Sequence, residues 1–455
     1  MYEQTWILIA EQWRRVSIDG DTLKLFISRN QGHMNQFESI FSTFFLVYSN
    51  NTCPTTNQLD FFYKKQEENG AIRSDYDLET GEKVILDPDN PECINPPLFS
   101  WAEFNIYHRN GTKRRVAEIL PILERYYEWL ERSFMDDTGL YVVPQGATKM
   151  ENMIRTDAYY FVDFNFQQAI NAHYISALAG ILNEKSLHFR YKQKFFALKT
   201  KINRMMWDTE TATYCDLDKN KRRLPQYSSL AGYWSLLVPL TDTRKTLQLI
   251  KHLEDPARYK SSYPFPSVPM NSPAFSSDGN GYNGSVFPFF TFLVCKGLYN
   301  NARYEMAREF AMGSLYHILE SWSDVERKTF NLWEAYSPTG SRPANWDGNE
   351  NFPRESFVHY AGLLTITTFV EIIIGLDISL PRKSVKWTMP SVEEMGIENL
   401  ELRRNVITIL SRKEKRGWEI FHDSKKLYYF TIETSERQKT LPIPSGRCSM
   451  LIDKI

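Results

Sequence analysis

Carboxylates placed next to aromatic rings recur along this chain, and they are the side chains best suited to chemistry. Glu38 follows Phe37 in Phe37-Glu38-Ser39-Ile40-Phe41, and Glu151 opens Glu151-Asn152-Met153-Ile154-Arg155. Tyr282-Asn283-Gly284-Ser285-Val286-Phe287 is a turn-rich stretch, and Trp333-Glu334-Ala335-Tyr336 leads towards Glu350. A carboxyl group can give or take a proton, and rings can line a ligand cleft. Glu334, held between Trp333 and Tyr336, must be hydrogen-bonded or functional, because an unpaired carboxylate among rings is costly. Glu151 and Glu350 stand among polar residues, where a solvated carboxylate is the plain alternative. Arg155 reads as a surface arginine or a ligand contact, and Phe37, Trp101 and Phe287 as core or cleft. His173 and His359 fall on expected helices and read as structural. Asp136-Asp137 lacks the spacing of a DDxxD magnesium motif, which excludes a terpene cyclase.

These residues have to be positioned by a mostly helical framework. Period and punctuation place about twelve helices, centred near residues 8, 42, 61, 103, 123, 172, 195, 231, 247, 291, 311 and 364. Lys113–Ser133 has the clearest three-and-four spacing, with Pro121 expected to kink or restart it. Phe164–Leu182, Ala302–Leu319 and Ser356–Ile374 carry no proline. Met1–Arg15 reads as a helix. Beyond Pro381 the texture changes to short β-leaning runs at Asn399–Leu410, Gly417–His422, Lys426–Ile432 and Cys448–Ile452. Tyr263–Tyr282 and Ser337–Pro353 are too long for simple connectors, and loops of that kind are often functional. Twelve helices in consecutive hairpins imply an (α/α)6 barrel over residues 1–385, followed by a small β-rich domain over residues 386–455.

The composition bounds the function. Lys and Arg number 54 against 55 Asp and Glu, a net charge of −1, so there is no basic face for nucleic acid. Aromatic residues reach 14%, enough for a ring-lined core or cleft. No run approaches about 20 uninterrupted apolar residues, so no membrane span is expected. The odd count of five cysteines reads as free thiols in a reducing compartment, and the lack of any CxxC pair argues against a zinc knuckle or a thioredoxin-type site. An N-terminus without the pattern of a signal peptide implies a cytoplasmic location, or a periplasmic or secreted one if the N-terminus is processed.

Several segments resemble a known clan, the (α/α)6-barrel glycoside hydrolases that include trehalases (family 37) and the family 63 glucosidases and mannosylglycerate hydrolases. Gln66-Glu67-Glu68-Asn69-Gly70-Ala71-Ile72 is similar to its Q-x-x-N-G-x-I segment, and Asn95-Pro96-Pro97-Leu98-Phe99-Ser100-Trp101-Ala102 to its PP-x-x-A/S-W-A helix start. Trp207-Asp208 before Tyr214, Pro266-Ser267-Val268 with Pro273-Ala274-Phe275, and Trp333-Glu334-Ala335-Tyr336-Ser337-Pro338-Thr339-Gly340 match further motifs in the same order. The resemblance implies hydrolysis of an α-glycosidic bond in a small carbohydrate, with inversion. An acid protonates the leaving oxygen while a base activates water across the sugar, the two carboxyls standing roughly 6.5–9.5 Å apart. Glu151 takes the acid position, an Asp in the clan, and Glu350 the base position, with Glu334 the competing candidate or a supporting residue. Glu38 occupies the Asp of a substrate-binding segment in which Phe37 replaces Trp, so two Asp-to-Glu changes together would reshape the sugar pocket. Trp101, Arg155, Tyr282, Asn283, Phe287, Trp333 and Tyr336 complete the implied subsite. No metal or cofactor is expected. The alternatives are a carbohydrate-binding barrel that no longer hydrolyses and a sugar epimerase of the same architecture.

Overall fold

The computed structural model describes the chain except residues 19, 29–31, 50–52, 151–152, 281–282, 325–328, 345–357, 391, 403–404, 415–416, 434–437 and 454–455. Glu151, Tyr282 and Glu350 therefore lie outside the described residues.

Two kinds of helix build the ring, and burial separates them. The long helix α5 (Lys113–Phe134) buries one stripe, Val116, Ile119, Leu120, Leu123, Tyr127 and Leu130, so it covers a core from outside. Helix α6 (Val162–Leu182) is buried on every side along its first half, as an inner helix must be. The same all-round burial marks α2 (Gln36–Leu46) and α9 (Pro288–Asn300). With α4 (Phe99–Asn110), the 3-10 segment Leu230–Leu236 and the segment Tyr360–Ile374, these close a ring in the order α2, α4, α6, Leu230–Leu236, α9, Tyr360–Ile374 and back to α2.

An outer layer wraps the ring. Helices α3 (Asn57–Lys64), α5, α7 (Lys185–Met205) and α10 (Tyr304–Trp322) pack on α2, α4, α6 and α9. Helix α8 (Thr243–Leu253) backs the 3-10 segment, where the Tyr233 hydroxyl donates to the Leu249 carbonyl at 3.0 Å. The sixth partner comes from the start of the chain: α1 (Tyr2–Ala10) packs on Thr365–Thr368. The result is a six-hairpin (α/α)6 barrel, as expected, with the first helix closing the last hairpin.

Four local expectations need correction. Helix α5 continues through Pro121 and does not restart there. The carbonyl left without a donor belongs to Ala117, four residues earlier, and both residues face solvent, where water can satisfy it. The N-terminal helix stops at Ala10, and an antiparallel hairpin, Trp13–Ile18 with Asp21–Phe26, replaces its expected end. The element near residue 231 is a 3-10 helix. The described part of the last inner helix consists of two short α turns ending in a π turn, Phe369–Ile373.

The C-terminal region forms two four-stranded sheets. One contains Leu376–Ser379, Ser384–Thr388, Tyr428–Glu433 and Gln438–Ile443, so the expected boundary at 385 falls inside its second strand. It is antiparallel apart from the parallel pairing of Ser384–Thr388 with Tyr428–Glu433. The other joins Glu394–Leu402, Asn405–Glu414, Gly417–Ser424 and Gly446–Asp453. Buried Trp387 donates its indole N–H to the Ile374 carbonyl at 2.9 Å, and the Arg308 guanidinium bonds the carbonyls of Ile373 and Thr388, fastening sheet to barrel. All five cysteines are free thiols. Among the described residues no helix is long and apolar enough to cross a membrane.

Candidate active site

The first carboxylate is set by a helix start. Asn35 caps α2 by accepting from the Glu38 backbone N–H, and its amide donates to Asp75 at 2.8 Å, so the cap is itself held. Every other residue of α2 is buried; Glu38 alone is partly exposed, with the Ser28 hydroxyl donating to its Oε2 at 2.8 Å. The ring of Phe37 is packed against Phe41, Phe289 and Tyr360.

The second carboxylate arrives on a loop. Val286 and Tyr336 exchange both backbone hydrogen bonds, at 2.9 and 2.8 Å, which ties the Asn283–Phe287 turn to the Trp333–Tyr336 motif. The Tyr336 hydroxyl accepts from the Trp333 N–H at 3.0 Å and closes that motif on itself. Leu332 bridges to Val358, and its carbonyl accepts from the His359 N–H. Glu334 is thereby brought to His359.

Glu38, Glu334 and His359 converge. The His359 Nε2 lies 3.9 Å from Glu38 Oε1 and 3.7 Å from Glu334 Oε1. Its Nδ1 caps the next helical turn by accepting from the Ala361 N–H, so the ring proton sits on Nε2, facing both carboxylates. Those two oxygens are therefore within about 8 Å of each other, a span that can hold a sugar hydroxyl or a water between carboxyls. From the sequence His359 reads as structural; nothing in its neighbours along the chain marks it as the bridge.

Other expected site residues occupy supporting positions. The Trp101 indole lies flat against Tyr174 at 6.0 Å, with Phe41 and Phe44 at its edges, so it packs the ring wall and offers no free stacking face. Phe37, Trp333 and Tyr336 are likewise buried, and Phe287 nearly so, packed against Phe290. Asn283 is partly exposed at the turn, where its backbone carbonyl accepts from Ser276. Arg155 is a buried anchor: its guanidinium pairs with Asp163 at 2.9 Å and Asp216 at 3.1 Å and also donates to Thr148. Burial pushes the Asp216 carboxyl up to about 6, against the pull of Arg155. Gln145 grips the same segment from the other side, accepting from the Arg155 N–H and donating to the Met153 carbonyl.

The described flanks of the remaining candidates lie at the same end of the ring. Met150, next to Glu151, accepts from the Trp234 indole through its sulfur. Trp234 meets Phe289, which packs on Phe37. The flanks of the Glu350 segment are Ala344, bonded to the Ala335 carbonyl, and Val358, bridged to Leu332, and so both adjoin the Trp333–Tyr336 motif. Among the described residues no group of three or more His, Cys, Asp or Glu is arranged to hold a metal ion.

Comparison with known proteins gives consistent matches. Residues 55–353 match the mannosylglycerate hydrolase MGH1-like glycoside hydrolase domain, and residues 375–455 the trehalase C-terminal domain. An uncharacterized protein of Borreliella burgdorferi is 43% identical over 454 residues, 99% of this chain and 95% of its own. The GH63 mannosylglycerate hydrolase of Thermus thermophilus, solved with glucose, superposes with a TM-score of 0.64 at 16% identity, covering 80% of this chain and 99% of that one. A sialidase superposes at 0.72 with 15% identity, covering 93% of this chain and 38% of that one. At those identities the solved structures speak for the fold alone.

Proposed function

This chain belongs to the family of mannosylglycerate hydrolase MGH1-like glycoside hydrolase domains, and we propose that it hydrolyses an α-glycosidic bond in a small oligosaccharide or glycoside with inversion of the anomeric centre. Glu151 acts as the general acid and Glu350 as the general base. Water attacks the anomeric carbon and passes its proton to Glu350; the bond to the leaving oxygen breaks, and that oxygen takes the proton of Glu151. Glu38 and Glu334 accept hydroxyl hydrogens of the bound sugar, and His359 holds the two carboxylates in place. Asn283 adds a polar contact at the rim, while Arg155 acts through its ion pairs by fixing the segment that carries Glu151.

The observation that supports this reading is the approach of Glu38 and Glu334 to one imidazole, because the clan resemblance implies a sugar-binding role for Glu38 and a substrate- or base-supporting role for Glu334, and the two lie nearly 300 residues apart in the chain. A screen of the purified protein against trehalose, glucosyl- and mannosyl-glycerate and aryl α-glycosides tests it, with Glu151→Gln and Glu350→Gln as controls. Hydrolysis that each substitution abolishes supports the assignment. Hydrolysis that survives both refutes it, and binding without turnover would favour a carbohydrate-binding barrel. An epimerase needs two histidines on one hollow; His359 meets the carboxylates, while His173 lies towards the opposite end of the ring.

A further inference from the structure

A hollow of about 620 Å³ opens at the end of the ring away from the carboxylates. Helix α9 measures the separation. Phe289 in its first turn packs on Phe37, beside Glu38, whereas Lys296 and Asn300 near its end line the hollow. At 1.5 Å per residue, Phe289 and Asn300 are about 16 Å apart along the axis. The volume falls within the range of small-molecule sites, about 300–1,000 Å³.

The wall carries charge that is already matched. Lys296 pairs with buried Glu371 at 2.5 Å, and Lys386 with Glu433 at 2.7 Å. At the rim, Arg303 contributes one positive charge and Asp242 and Asp377 two negative ones, so that with Lys296, Lys386 and Glu371 the lining holds three cations and three carboxylates. Such a wall has little net preference for an ion. Its unused capacity is neutral. Among the described residues neither the His173 ring nor the Tyr174 hydroxyl has a hydrogen-bond partner, and both line the hollow. Burial lowers the His173 pKa and raises that of Tyr174, so both stay uncharged donors and acceptors. Glu371 stands on the π turn Phe369–Ile373, and π turns inside helices are frequent at functional sites.

We propose that this hollow is a second carbohydrate site, for a neutral mono- or disaccharide, separate from the carboxylate site and independent of whether that site hydrolyses. Recognition rests on the His173 ring, the Tyr174 hydroxyl and the Asn300 side chain among rings and matched charges.

His173 lines the hollow and His359 stands beside Glu334, so these two signals, once assigned among the eight histidines, make the test site-specific. The full chain carrying 13C-labelled histidine is titrated with glucose, maltose and trehalose, with inorganic phosphate as a separate arm, in the native protein and in Glu334→Gln. The His173 signal should move saturably with a sugar in both proteins, and not with phosphate. Tyr174→Phe should weaken that binding at least several-fold, and Leu247→Trp, a bulky replacement at the exposed rim, should abolish it while leaving the response of His359 unchanged. A His173 signal that no sugar moves, that phosphate moves instead, or that neither Tyr174→Phe nor Leu247→Trp alters overturns the proposal. Failure of hydrolysis shows itself elsewhere, in product analysis and at His359.

Discussion

At the scale of single residues, His359 brings its Nε2 to 3.9 Å from Glu38 and 3.7 Å from Glu334, longer than a hydrogen bond but close enough for its N–H dipole to favour both carboxylates, which a methyl group cannot do. His359→Ala leaves Glu38 and Glu334 facing each other without that N–H between them. A displacement of about 1 Å in a sugar contact costs roughly 100-fold in rate, and kcat/KM should fall by about that factor. His359→Gln can place an amide N–H near the lost Nε2 and should recover part of it; steady-state kinetics on the three proteins decides. A second residue works through charge. Burial raises the Glu371 carboxyl, but Lys296 and Arg109 beside it outweigh burial and hold it down at about 2. A folded pKa below the ordinary 4.5 means that its contribution to stability is full above about pH 4.5 and is lost as pH falls through about 2. Glu371→Gln leaves two cations facing a neutral amide in a buried site, which should lower unfolding stability by about 3–5 kcal/mol at neutral pH in a urea titration. Glu38 and Glu334 were legible from the rings around them. His359 was not, because a histidine at a helix start looks the same whether it caps a turn or bridges two acids. Arg155 reads in the sequence as a surface arginine or a ligand contact, whereas the fold buries it against Asp163 and Asp216, partners that leave no periodic mark along the chain.

At the scale of elements, the backbone near the site leaves no spare room. A Cβ added at Gly362 would stand 2.7 Å from the Leu332 Cβ, and Leu332 carries the carbonyl that anchors His359. Gly362→Ala should therefore cost about 1–3 kcal/mol of stability and lower activity as well, since relief of the clash shifts the loop that delivers Glu334. A thermal melt and a rate assay on the same sample check both halves. Helix positions were readable from periodicity in α5 and α6, where burial follows a stripe or a full circumference. The 3-10 segment Leu230–Leu236 reads as an ordinary helix in the sequence because 3.0 and 3.6 residues per turn give the same apolar count over seven positions. The hairpin after Ala10 is hidden there because Trp6 to Ile9 dominate the pattern just ahead of it.

At the scale of the molecule, the ring is closed twice, by α1 against the last hairpin and by the C-terminal sheets against one end of the barrel. Ion pairs and hydrogen bonds from Arg109, Arg308 and Trp387 cross that junction, so barrel and sheets should unfold in one transition, by calorimetry and by tryptophan fluorescence alike. Truncation after Gly375 breaks the links that all three make across it and should leave a chain without a cooperative transition. The architecture itself was legible, since alternating striped and fully apolar helices leave few other closures. At the opposite end of the barrel, hydrolysis with inversion needs two carboxyls acting on either side of one sugar. Proton NMR of the first product formed from an α-glycoside that the screen identifies tests this most directly. The β-anomer should appear first and mutarotate afterwards; first appearance of the α-anomer would contradict inversion.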